Sequence, residues 1–268
     1  MQIDHKFMNL CKSVCIDGIY TSLLKTIKED YGITFEERFT HGGIPVLVCE
    51  IYKNGDIFII LPVDEAGGLI CESLNYNDIY TVINWFKDIN LHNKRVFIVD
   101  DNGRVIGKGM LIKYGNNSKG YLVKVRECYQ KIEEYNTYYV SEYHITTCNG
   151  VIKGKAVSTR MPLHVILKLI EEINMNISFL ALLPKSKALI YSVRNLIKEV
   201  STIREINIMK SLIMVIPSSQ NHLKYIKVGN LTVGILEYSC KNGFYSEEVD
   251  IDTVKFIHSQ LQAKTRNT

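Results

Sequence analysis

The stretch RVFIVDDNGRVIGKGMLIKYGNNSKGYLVKVREC, residues 95–128, decides the fold class. Val96–Val99 reads as a strand, and Asn102-Gly103 supplies a two-residue turn. Arg104–Tyr114 returns, Gly115-Asn116-Asn117-Ser118 turns again, and Tyr121–Cys128 follows. Asn-Gly between β-rich runs provides the positive φ values of a tight hairpin turn. Tyr138–Thr147, Asn149-Gly150 and Val151–Thr159 extend the pattern. Roughly five strands joined by short turns predict an antiparallel meander able to close into a small barrel.

The flanks read differently. Leu10, Val14, Ile16, Ile19, Leu23, Leu24 and Ile27 recur at three- and four-residue spacing, predicting helix over 3–31 with Gly32 as a left-handed cap. Pro45–Tyr52 and Asp56–Val63 around Asn54-Gly55 predict a hairpin, and 77–89 predicts a helix. Beyond the meander, Pro162 suits the first turn of a helix with Leu163, Ile166, Leu167 and Ile170 on its apolar face. Strands are predicted over 178–183, 188–193, 212–216, 223–228 and 232–238, and helices over 196–208 and 252–262. The expected fold class is mixed α+β, with a central antiparallel β meander or small barrel flanked by two α/β units. The expected units are acidic 1–92, basic and tyrosine-rich 93–160, and C-terminal 161–268.

Of the 268 residues, 46% are hydrophobic and 22% charged, which excludes disordered and fibrous classes. No apolar run approaches the ~20 residues of a membrane-spanning helix, and Met1–Lys6 does not open a secretory signal. The seven cysteines are odd in number and scattered, so reduced thiols and a cytoplasmic location are expected.

Charge is uneven. Residues 1–101 sum to −6, residues 102–170 to +7 and residues 171–268 to +3. The basic segment also holds seven of the 16 tyrosines. Cations neutralise phosphates and flat rings stack on bases, so such a surface suits nucleic acid or an acidic protein. The residues expected to carry that contact are Arg104, Lys108, Lys113, Tyr121, Lys124, Arg126, Tyr138, Lys153, Lys155 and Arg160. The leading expectation is a non-enzymatic cytosolic binding or regulatory protein of a bacterium, phage or virus. It needs no cofactor or metal, touches no membrane, and is able to form oligomers.

The catalytic alternative is a hydrolase or transferase with a site near His41, Asp64, Glu65 and Cys71. There His41-Gly42-Gly43 precedes one strand and Asp64-Glu65-Ala66-Gly67-Gly68 follows another. Loop conformations with positive φ account for the glycines in this reading. Other motifs fail on spacing. Gly103–Gly109 is one residue short of a phosphate loop and lacks the Ser or Thr after its lysine. Tyr143-His144-Ile145-Thr146 has no second His-x-Thr, and Lys185-Ser186 reads as a solvated turn.

Overall fold

The computed structural model describes residues 3–16, 19–52, 55–74, 78–84, 92–114, 120–172, 177–183, 193–203, 211–228, 231–241 and 247–266. The predicted strand over 188–193, but for its last residue, and the turns at Lys185-Ser186 and Gly115–Ser118 lie outside these residues.

The fold is mixed α+β, as the sequence predicts, with a closed antiparallel barrel beside a mixed sheet. The elements run α1 (His5–Lys12), α2 (Thr21–Tyr31), β1 (Glu36–Phe39), β2 (Pro45–Glu50) and β3 (Ile57–Pro62). Then come β4 (Gly67–Ser73), β5 (Ile79–Asn84), β6 (Arg95–Val99), β7 (Val105–Lys113), β8 (Tyr121–Cys128) and β9 (Thr137–Ser141). β10 (Ile145–Cys148), β11 (Val151–Gly154), α3 (Val157–Glu172), β12 (Ile177–Leu183) and α4 (Val193–Val200) follow. The chain ends with β13 (Ser211–Ser218), β14 (His222–Val228), β15 (Leu231–Lys241), β16 (Glu247–Asp250) and α5 (Ile251–Arg266).

The barrel closes in the order β4-β5-β8-β7-β6-β9. Ile70, Val96, Ile98, Ile106, Leu111, Val123 and Tyr139 fill it. β10 and β11 leave the meander and join the other sheet, ordered β1-β2-β12-β3-β13-β15-β16-β11-β10, with β14 also on β15.

β3 explains that sheet. Every one of its residues, Ile-Phe-Ile-Ile-Leu-Pro, is buried. Ile57, Ile59 and Leu61 face the layer built from α1, α2, α3 and α5, and Phe58 and Ile60 face Leu196, Ile197 and Val200 of α4. A strand covered on both faces reads as a continuous apolar run. It also needs neighbours on both edges, and these are parallel β12 and β13. The hairpin expected between β2 and β3 therefore does not form, because β12 lies between them. A Cβ on Gly55 would sit 2.4 Å from the Ser178 amide, so glycine admits the crossing strand.

Three other expectations change. The N-terminal helix is two helices, broken where Val14, Ile16 and Ile19 turn to pack on Val99 and Val140 of the barrel. Gly32 does cap α2, with φ 69° and its amide on the Lys28 carbonyl at 3.1 Å. Residues 79–84 of the predicted second helix are strand β5, since closing the barrel requires a partner for both β4 and β8. Helix α3 starts before Pro162, which therefore lies inside it.

Candidate active site

In an open α/β sheet, ligands bind beyond the carboxyl ends of parallel strands, where successive connections leave on opposite faces. β3 is that place here. The route from β3 to β12 brings α3 onto one face, and the route from β12 to β13 brings α4 onto the other. The carboxyl end of β3 delivers Val63, Asp64 and Glu65. The Val63 amide bonds the Leu183 carbonyl of β12 at 3.0 Å, which fixes the exit direction.

Glu65 is 6% exposed and locked from three directions. Its amide donates to the Cys15 carbonyl at 2.8 Å, and its Oε1 accepts the Cys15 amide at 3.0 Å. Lys155 Nζ lies 3.1 Å from Oε2, and Arg160 Nη2 lies 3.8 Å from Oε1. Burial pushes the Glu65 carboxyl up, while Lys155, Arg160 and the Cys15 amide pull it back down. Arg160, with no exposed surface, also donates to the carbonyls of Leu10, at 3.0 Å, and Val63.

The start of α3 completes the cluster. Lys155 precedes Ala156, whose φ of 55° turns the chain into the helix. The Ser158 amide donates to Glu247 Oε2 of β16 at 2.7 Å, placing a carboxylate at the helix N-terminus. Two carboxylates and two cations are thus buried together, which offsets their charge. Asp64, 4% exposed, stands beside them. Among the described residues no three His, Cys, Asp or Glu side chains gather to hold a metal ion, and both Glu65 oxygens already face protein cations.

The catalytic alternative is therefore brought together only in part. Asp64 and Glu65 adjoin at the end of β3. His41 is exposed before β2, its amide bonded to Thr202 Oγ1 at 2.9 Å beyond α4. Cys71 lies on barrel strand β4, where burial pushes its thiol up, away from the thiolate.

The ten residues expected to form a basic face lie in several places. Arg104, Lys113, Lys124 and Arg126 are exposed on the barrel. Lys108 is 3.5 Å from Glu127, and Lys153 on β11 is 2.8 Å from Glu248. Tyr121 packs inside the barrel and Tyr138 packs beneath it, against the Val14, Ile16 and Ile19 segment. Lys155 and Arg160 are the core cations described above. Sequence reasoning assigned these two to the surface and missed Ser158 and Glu247. A signal existed, because Lys155 adjoins the apolar pair Ala156-Val157 and Arg160 adjoins Met161, where a solvated charge would be out of place.

No family model and no curated protein matches the chain. Solved structures do. An aminopeptidase from the archaeon Desulfurococcus kamchatkensis is similar with TM-score 0.68 and 12% identity over 98% of this chain and 94% of that one. An endoglucanase from Thermotoga maritima is similar with TM-score 0.67 and 10% identity over 97% and 96%. A TET peptidase of Pyrococcus horikoshii, which assembles into a tetrahedron or a large octahedral shell, is similar with TM-score 0.63 and 11% identity over 97% and 99%. These likenesses overturn the expectation of a non-enzymatic binding or regulatory protein acting on nucleic acid or an acidic surface: over 97–98% of the chain, barrel included, the fold is similar to those of an aminopeptidase and an endoglucanase.

Proposed function

We propose that the chain is a hydrolase that removes residues from the amino end of peptides, with its site beyond the carboxyl ends of β3, β12 and β13. The observation that carries this reading is the likeness to an aminopeptidase over almost the full length of both chains. The buried acidic pair Asp64-Glu65 at the end of β3 supports the location. Asp64 takes the proton of the attacking water and returns it to the amine as the carbon–nitrogen bond breaks. Glu65, held by Lys155 and Arg160, positions the turn that carries Asp64. Like the shell-forming peptidase, the chain self-assembles.

A substrate panel tests the activity. Purified protein is incubated with fluorogenic aminoacyl amides, N-acetylated counterparts and soluble β-glucans. Release from free-amine substrates alone supports the reading. Release of sugar would replace the peptide with a glucan, and turnover of the acetylated amides would remove the amino-end requirement.

A further inference from the structure

Among the described residues the mixed sheet has three edge strands, β1, β10 and β14, and β1 and β14 differ in charge. β1 pairs only with β2, and β14 only with β15, among the described residues. An edge strand turns half of its N–H and C=O groups toward solvent, a template for a further strand. On β1, Glu36 and Glu37 are exposed, and Phe39 is 60% exposed. On β14, His222, Lys224 and Lys227 are exposed beside Tyr225, itself 51% exposed. Lysines on an edge ordinarily discourage pairing. Here they discourage all but an acidic strand, which makes them a selection device.

We propose that β1 of one copy pairs antiparallel with β14 of the next, Glu37 meeting Lys227 and Phe39 meeting Tyr225 on one face. This rests on the self-assembly reading above and adds the surface through which it occurs. Glu36 is already 3.1 Å from Arg38 on its own strand and Lys224 2.5 Å from Glu237 on the neighbouring one, so Glu37 and Lys227 carry the new charge contact. The seven residues of β14 give the four of β1 room for full pairing. The contact joins two different patches, so it propagates head to tail and either closes into a ring or runs on.

Sedimentation velocity of the full chain over a concentration series reads the outcome. The variant Glu37→Lys, and separately Lys227→Glu, should each weaken association about tenfold. Combining both substitutions in one chain should restore it. Raised salt should weaken the wild type as well, since the contact is exposed and ionic. Wild-type protein that assembles, with both variants assembling equally well, would overturn the edge pairing and leave self-assembly standing. Wild-type protein that stays monomeric throughout would overturn both.

Discussion

The Tyr238 hydroxyl donates to the Ser158 carbonyl at 2.5 Å, and Ser158 is the residue whose carbonyl Pro162 leaves without an amide partner. A proline inside a helix has no N–H to offer the carbonyl four residues earlier. Tyr238, fully buried on β15, supplies the missing donor from the sheet and so ties the sheet to the helix that starts at the ion cluster. Tyr238→Phe should lower stability by about 1–3 kcal/mol in urea unfolding, the cost of an unpaired buried carbonyl. Pro162→Ala in the Tyr238→Phe background should recover part of that loss. Purely additive effects would show that the two residues do not share this carbonyl.

The ion cluster makes a second prediction. Lys155→Met leaves the buried Glu65 carboxylate with the Cys15 amide and, as its cation, Arg160 at 3.8 Å, and should cost about 3–5 kcal/mol. Joining it with Glu65→Leu should cost less than Lys155→Met alone, because a buried cation and a buried carboxylate are then removed together. Equilibrium urea curves on wild type and the two variants decide the ordering.

His164 predicts a pH dependence. Its ring is 1% exposed, with Nδ1 2.6 Å from the Tyr31 hydroxyl and Nε2 3.5 Å from Asp4. Burial pushes the ring down to about 4; Asp4 and Glu171 oppose this, while Lys168 and Lys6 add to it. Between that value and the ordinary value near 6.5, the unfolded chain binds a proton that the folded chain does not. Stability therefore rises with pH across this window. Wild type should be about 2 kcal/mol less stable at pH 5 than at pH 7 from this group. His164→Asn should flatten the difference, and an unchanged slope would show that His164 does not set it.

Gly67 and Gly68 separate what was legible in the sequence from what was not. Sequence reading places them in a loop that needs positive φ, and Gly43 at φ 74° does meet that rule. Gly67 and Gly68 instead open barrel strand β4. There a Cβ would lie 2.4 Å from the Tyr139 carbonyl in one case and 2.3 Å from the Ile83 carbonyl in the other. Close approach of neighbouring strands, not turn conformation, demands them. Gly68→Ala should lower the melting temperature by the equivalent of about 1–3 kcal/mol.

The same contrast runs through the chain. Barrel strands β6 to β8 were legible because their turns are local and their residues alternate. The crossing of β12 between β2 and β3 was not, since pairing between residues more than a hundred apart leaves no local trace. Asp64 and Glu65 were visible as an acidic pair beside a buried strand. Their cationic partners were hidden because Lys155 and Arg160 resemble the surface cations around them, and only the fold reveals which charges are enclosed.

The central claim places peptide hydrolysis at the carboxyl end of β3. Mass spectrometry of a defined decapeptide, incubated with wild type and with an Asp64→Asn variant of matching melting temperature, tests it most directly. A ladder of successive losses from the amino end with the wild type, and an intact peptide with the variant, is the predicted result. An intact peptide with both proteins, or the same ladder with both, would contradict it.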